Sequence, residues 1–238
     1  PDRSFLQNNE KTYFPMFDPS GNELYFAKEN ASSDTDLWKA KYTDNIATQP
    51  QLLDSIFNSK AREAGHGKST KGSFYFTSNR DDKNACCGDI YYSQLQPNGY
   101  VQPEKVVELN SVYDEESLFL SPNEDYMIIQ SWKAEFESKH DLFISYRNKA
   151  GKWNIPERLN AEINSKEIEQ RPFVSADNKF LCRSRTTITK EKEQEHYESD
   201  IYWVSTALLL KPYLYNTEID ISLNHMNPFK IDLPSDLF

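Results

Sequence analysis

An Asp-aliphatic-aromatic triplet occurs four times in this chain, as Asp36-Leu37-Trp38, Asp89-Ile90-Tyr91, Asp141-Leu142-Phe143 and Asp200-Ile201-Tyr202, at steps of 53, 52 and 59 residues. Recurrence at such a period means that one supersecondary unit is built several times, each copy too small to bury its own apolar faces. Fold and function both have to be read through that unit.

Two further signals keep the same phase. Pro50, Pro103 and Pro156 are each followed closely by an aliphatic residue, Leu52, Val106 and Leu159. Asn58-Ser59, Asn110-Ser111 and Asn164-Ser165 each lead to an acid: Glu63, the pair Glu115 and Glu116, and Glu169. A turn and a short apolar run come next: Asp18-Pro19 before Leu24-Tyr25-Phe26, Ser121-Pro122 before Tyr126-Met127-Ile128-Ile129, and Ser175-Ala176-Asp177 before Phe180-Leu181-Cys182. The second unit keeps the run, Phe74-Tyr75-Phe76, but reads His66-Gly67-Lys68 where the turn is expected.

These are short strands divided by turn residues, since Pro, Asn, Asp and Gly fit turn dihedrals and aromatic and branched residues fill a pleated surface. The charge run Lys190 to Glu195 has no apolar stripe beside it and reads as a solvated loop. About four strands in about fifty residues, repeated, is the pattern of a propeller blade. The expectation is an all-β chain with repeat units over roughly 12–62, 63–115, 116–168 and 169–205, followed by a closing segment, 206–238. Ile219 to Leu223 alternates as a closing strand should.

Composition narrows the partners. A net charge of −10 repels a polyanion, which argues against nucleic acid. No run approaches the roughly 20 apolar residues of a membrane helix. The chain starts at Pro1 without a signal segment, the pattern of a processed form or a fragment. Three cysteines are too few for a disulfide framework; Cys182 sits in an apolar run, and Cys86-Cys87 precede Gly88 in a polar loop where exposure and reactivity are expected. Without a second spaced Cys or His pair they do not predict a metal site, and nothing in the chain predicts a cofactor.

The combined signals resemble the PD40, or WD40-like, repeats of the TolB-type β-propellers. The best matching stretch runs from Gly151-Lys152-Trp153-Asn154-Ile155-Pro156 through Asn164-Ser165 and Glu169 to Arg171-Pro172-Phe173-Val174-Ser175-Ala176-Asp177. The resemblance covers roughly 12–205. It implies a β-propeller with four recognisable blades, five or six if degenerate or missing terminal blades are added, in the periplasm or outside a bacterial cell. It departs from the family at the turn glycine, which survives as Gly21 and Gly72 while Asn123-Glu124-Asp125 and Asn178 stand in elsewhere.

In such a propeller the strand after Asn-Ser faces the central channel. Aligning on it makes Glu63, Glu116 and Gln170 equivalent, with Arg62, Glu115 and Glu169 just before them. Several blades would then aim polar groups at one mouth able to hold a peptide, glycan or cation; alternatively, the acid repeats because it holds the same backbone in every blade. The Asp of each triplet invites the second reading, as a carboxylate satisfying free backbone N–H groups. Sites are expected where the repeat breaks, which places candidate binding residues at Arg62, Glu63, His66 and Arg80 in the second unit, with Lys68 and Asn79 nearby, and at Glu116, Glu169, Gln170 and Arg171 near the axis. No residue is singled out as catalytic: the carboxylates needed for glycoside chemistry are present but no pair is marked by spacing, and no nucleophile elbow, phosphate loop or zinc helix occurs. His140, His196 and His225 form no constellation in sequence. The function expected is a non-catalytic protein-binding or scaffold module of the cell envelope, with a glycan-binding or glycan-processing propeller as the alternative.

Overall fold

The computed structural model describes residues 11–209, apart from 33, 45, 49, 82–86, 134–139 and 192–193. Cys86, His225 and the stretch Ile219 to Leu223 lie outside the described residues.

Four antiparallel sheets of three or more strands, and one separate two-stranded ribbon, follow one another along the described residues. The first holds β1 (Thr12–Phe17), β2 (Glu23–Glu29) and β3 (Thr35–Thr43), with β4 (Ile46–Ala47) and β5 (Gln51–Leu52) both paired to β3. The second runs β6 (Glu63–Lys68), β7 (Phe74–Ser78), β8 (Asp89–Ser93), then a small ribbon of β9 (Leu95–Gln96) and β10 (Gly99–Tyr100), then β11 (Glu104–Lys105) back on β8. The third is β12 (Asp114–Leu120), β13 (Tyr126–Trp132), β14 (His140–Tyr146) and β15 (Glu157–Arg158). The fourth has β16 (Ile168–Val174), β17 (Phe180–Glu191) and β18 (Gln194–Ser205). This is a four-blade β-propeller arrangement, each blade opening on its inner strand.

The turn between the first two strands of each blade is built the same way. Asp18, Ser69, Ser121 and Ser175 accept a hydrogen bond from the backbone N–H four or five residues on, at Glu23, Ser73, Tyr126 and Phe180. The left-handed position of that turn is held by Gly21, Gly72, Glu124 and Asn178, with φ of 74°, 85°, 64° and 55°. Asn178 tolerates that region readily; Glu124 does not, and its carboxylate is anchored by Arg147 at 2.9 Å. In the second blade the turn is therefore Ser69 to Ser73, while His66, Gly67 and Lys68 belong to strand β6. There the side-chain bond that closes the turn falls one residue earlier, Ser69 to Ser73 against Asp18 to Glu23, Ser121 to Tyr126 and Ser175 to Phe180.

The phased signals engage one another. Asn58, Asn110 and Asn164 each accept from the N–H of the aliphatic residue in the preceding triplet, Leu37, Ile90 and Leu142, and each donates back to its carbonyl. A third bond, to Leu53, Val106 or Leu159, ties the fourth strand to the same point. In two blades the triplet Asp also grips that strand by charge: Asp89 pairs with Lys105 at 2.6 Å and Asp141 with Arg158 at 2.7 Å.

The core is a series of layers between blades. Tyr25, Leu37 and Phe57 meet Phe74, Phe76 and Tyr91; Tyr75, Ile90 and Leu109 meet Leu118, Met127 and Ile129; Ile128, Leu142 and Ile163 meet Val174 and Leu181. Each such side chain, fully buried, contributes about 1.5–3 kcal/mol, so a blade separated from its neighbour loses most of its stabilisation. The Lys190 to Glu195 run is not a loop: β17 and β18 form one long hairpin through Lys190↔Glu195. Thr186, Thr187, Ile188 and Thr189 give strand-forming side chains that outweigh the nearby charges.

Candidate functional site

The inner strands β1, β6, β12 and β16 surround the axis and leave a cavity of about 260 Å3, whose walls include Tyr13, Phe14, His66, Ser117, Leu118 and Arg171. Toward the turns it gives onto a wider mouth of about 690 Å3. All four inner strands break register once, between Tyr13 and Met16, Glu63 and His66, Glu115 and Ser117, and Gln170 and Phe173. Such bulges bend a strand and re-aim its side chains. Phe14 and Arg171 take the same place in their bulges and both are left-handed, φ 54° and 52°. The Arg171 guanidinium stands 6.0 Å from the Phe14 ring centroid. Strain of this kind, on non-glycine residues at an axis, persists only where the surroundings enforce it.

The recurring acids are Glu63, Glu115 and Glu169, each four residues after its serine. Ser59, Ser111 and Ser165 each donate both N–H and Oγ–H to the carboxylate. The equivalence of Glu63 with Glu116 and Gln170 expected from sequence is therefore one residue out: Glu116 and Gln170 correspond to Ala64. Glu63 and Glu169 have no exposed surface and Glu115 has 2 %. These carboxylates hold the loop before the inner strand onto the blade and do not face the channel.

What completes each acid differs by blade. Glu63 is met by Ser78 Oγ at 2.9 Å and Arg80 Nη2 at 3.2 Å. Arg80 also donates to the carbonyls of Ile56 and Phe57 and lies over the Phe76 and Tyr91 rings. Glu169 receives Arg183 Nε at 2.8 Å and Arg185 Nε at 2.6 Å. Glu115 meets Ser131 Oγ at 3.2 Å, and its partners among the described residues are all uncharged. Burial pushes the Glu115 carboxyl up to about 7, against the serine hydrogen bonds. Burial also raises Glu63, outweighing its serines and Arg80.

Arg62 pairs across to Asp114 at 3.4 Å, clasping the second blade to the third. His66 is buried between Tyr25 and Phe74, its ring parallel to Phe74 within 7°. Its Nδ1 lies 3.0 Å from the Ala64 carbonyl, and the backbone of Tyr25 also favours a proton on the ring. Burial holds this imidazole below its usual pKa, so it is neutral at pH 7. Lys68 Nζ reaches Glu23 at 2.8 Å, and although burial opposes it, hydrogen bonds from Lys68, Tyr25 and Lys39 hold the Glu23 carboxyl at about 2. Gln170 Oε1 accepts weakly from Thr186 at 3.4 Å.

Glu116 joins a cluster that sequence reasoning missed. Gln130, 1 % exposed, donates its amide to Glu116 Oε2 and lies 3.3 Å from His140 Nδ1, while its Oε1 accepts from Ser117 Oγ at 2.7 Å and from Arg171 N at 3.2 Å. The amide faces His140 as donor, so Nδ1 accepts. The signal that could have found Gln130 is its equivalence to Thr77, which likewise clasps the next blade through the Glu116 carbonyl. Among the described residues no group of three or more His, Cys, Asp or Glu converges as metal ligands would. Cys87 is disulfide-bonded and Cys182 is a free thiol.

The mouth is different in character. Phe17 and Phe173, 47 % and 49 % exposed, stand with Met16, Phe119, Leu120 and Val174 on its floor. Asp18, Lys68, Asn123, Asp125 and Asn178 form the rim. An exposed apolar centre with a polar surround is the composition of a recognition surface.

Fold and site together define a propeller-type repeat module whose axial mouth is open. No family model matches the chain, and no curated protein matches it. Among solved structures it is similar to a xyloglucan-locus GH43B protein of Bacteroides ovatus, 14 % identical, with a TM-score of 0.51, covering 82 % of this chain and 40 % of that one. It is also similar to TolB from Acinetobacter baumannii, 16 % identical, TM-score 0.45, covering 78 % and 39 %, and to a putative TolB from Agrobacterium tumefaciens, 12 % identical, TM-score 0.49, covering 84 % of each. The chain thus spans about two fifths of the length of the first two. At these identities the likeness is one of fold alone. No helix among the described residues is long and apolar enough to cross a membrane.

Proposed function

We propose that this chain is a non-catalytic binding module of the bacterial cell envelope that receives a protein or peptide at its axial mouth. The observation that carries this is that Phe17 and Phe173, each about half exposed, line the same 690 Å3 opening. A hydrophobic centre ringed by polar groups suits an apolar anchor side chain of a partner. Arg171, which lines the inner cavity, supplies a cation that would orient a peptide there.

Glycan processing is the weaker reading. It needs two carboxyl groups free to act on one substrate; Glu63, Glu115 and Glu169 are buried, and of the two acids lining the mouth, Asp18 and Asp125, Asp18 is engaged by the backbone of its own turn and by Lys68. The envelope assignment draws on the resemblance to TolB-type repeats.

The test is site-specific photo-crosslinking from position 173 in an envelope extract, with position 112 as control, since Val112 is 88 % exposed and outside the mouth. One discrete crosslinked species from 173 and none from 112 is the expected result. Equal labelling from both positions removes the mouth as the binding surface.

A further inference from the structure

The inner-strand bulges put a different residue at one equivalent position of each blade: Phe14, Gly65, Ser117 and Arg171. Positions that hold a blade together repeat, as the buried acids and the clamping asparagines do; this one does not. Phe14, Ser117 and Arg171 line the axial cavity, while Gly65 is pressed against Ser117, where an added Cβ would lie 2.5 Å from its Cα.

Arg171 is held there against its own backbone preference. Its φ of 52° is left-handed, although a residue before a proline, here Pro172, favours extended backbone. The buried Gln130 keeps it in place: its Oε1 accepts from Arg171 N at 3.2 Å and is itself fixed by Ser117 Oγ at 2.7 Å. A backbone kept in that state at the wall of an opening marks a functional position.

The surroundings of the guanidinium indicate its ligand. Arg62, Arg80, Arg147, Arg158, Arg183 and Arg185 each pair with a carboxylate at 3.4 Å or less. Among the described residues Arg171 has no such pair, and no acid lines the cavity. A chain of net charge −10 thus sets one arginine and no carboxylate on the wall of its axis. One planar fork matches the two oxygens of a carboxylate. A phosphate calls for more donors than a wall made largely of Tyr13, Phe14, Met16, Leu118, Phe119 and Phe173 provides. Met16, Phe119 and Phe173 line the mouth as well as the cavity, so a ligand that enters over Phe173 reaches Arg171.

We infer that Arg171 is a carboxylate receptor inside the axis: a partner seats an apolar side chain against Phe173 and an adjacent carboxylate on the guanidinium. This rests on the reading of the mouth as a binding surface and narrows the partner to a chain that presents an acid beside an apolar residue.

Side-chain NMR of the whole chain, labelled with nitrogen-15 arginine, tests this. The probes are N-acetylphenylalanine, with a free α-carboxylate; its amide, with none; acetyl-Glu-Phe amide, with a side-chain carboxylate; and inorganic phosphate. The Arg171 Nε signal, identified by its loss in Arg171→Gln, is expected to move saturably with a carboxylate probe and not with the simple amide. The signal of Arg158, already paired with Asp141, should stay in place. Response to the first probe alone assigns the carboxylate to a chain end, and response to the glutamyl probe alone assigns it to an internal acid. Arg171→Lys keeps the charge but loses the fork, so it should weaken binding about tenfold. An Arg171 signal that answers none of the probes, answers the simple amide equally, or answers phosphate as strongly as the carboxylates overturns the proposal. Capture of a partner from position 173 with Arg171 unmoved by any carboxylate overturns this inference and leaves the mouth standing.

Discussion

Glu63 Oε1 lies 3.2 Å from Arg80 Nη2, yet among the described residues the equivalent Glu115 meets only hydroxyls and a backbone N–H. One repeat position thus carries a sealed ion pair in one blade and an uncharged-partner carboxyl in the next. The first prediction concerns the pair. Arg80→Met leaves Glu63 buried without its cation and frees two carbonyls, so it should destabilise the chain by about 3 kcal/mol. Urea unfolding measures it; a change within 0.5 kcal/mol of zero, the usual range for surface substitutions, contradicts the assignment.

Glu115 sets a pH dependence with a definite sign. Its folded value, about 7, exceeds the ordinary 4.5, so between those limits the folded chain keeps a proton that the unfolded chain has released. Stability from this group is therefore greatest below the unfolded value and is lost as pH rises toward 7. The loss is on the order of 3 kcal/mol, and Glu115→Gln should flatten that part of the profile. Unfolding free energies of both proteins from pH 4.5 to 8 decide it; parallel profiles contradict the account.

The asparagine clamp should be expensive to remove. Asn164 accepts from Leu142 N at 2.8 Å and donates to Leu142 O and Leu159 O, both at 2.9 Å, in a buried site. Asn164→Ala should cost about 2–4 kcal/mol, since buried backbone groups lose partners that water cannot replace. Asn164→Asp keeps the acceptor but loses both donors, so it should not rescue. Thermal unfolding of the two variants reads this directly.

Gly65 marks where two inner strands touch. A Cβ there would lie 2.5 Å from Ser117 Cα and 3.0 Å from the Glu116 carbonyl, both rigid backbone. Gly65→Ala should cost at least about 2 kcal/mol and loosen the contact between the second and third blades. Faster hydrogen exchange in β6 and β12 is the expected accompaniment.

The repeat made the blades legible because the Asn and the Ser of each Asn-Ser pair do one structural task apiece in all three copies, the Asn clamping the preceding triplet and the Ser holding the following acid. The register of the inner strand was not legible from the acids alone, because Glu115 is followed by Glu116 and Glu169 by Gln170. What fixes it is the four-residue spacing from Ser59, Ser111 and Ser165, a feature of one loop rather than of the strand. Arg80, Arg183 and Arg185 could not be assigned from sequence, since they reach their acids across a hairpin 14 to 17 residues long. His66 breaks the repeat as read from sequence, where Pro15, Leu118 and Pro172 stand in the other blades, but its burial against Phe74 makes it part of a layer. The apolar mouth was invisible because Phe17 and Phe173 look like any core residue of a strand until the axis shows which side is open.

The central claim divides the chain into repeated acids that build the blades and an apolar mouth that binds. The most direct measurement compares partner capture and thermal stability for Phe173→Asp and Glu169→Gln at a temperature where both are folded. The account predicts that Phe173→Asp abolishes capture with little change in Tm, while Glu169→Gln lowers Tm and captures as the parent does. Loss of capture in Glu169→Gln with full capture in Phe173→Asp would contradict it.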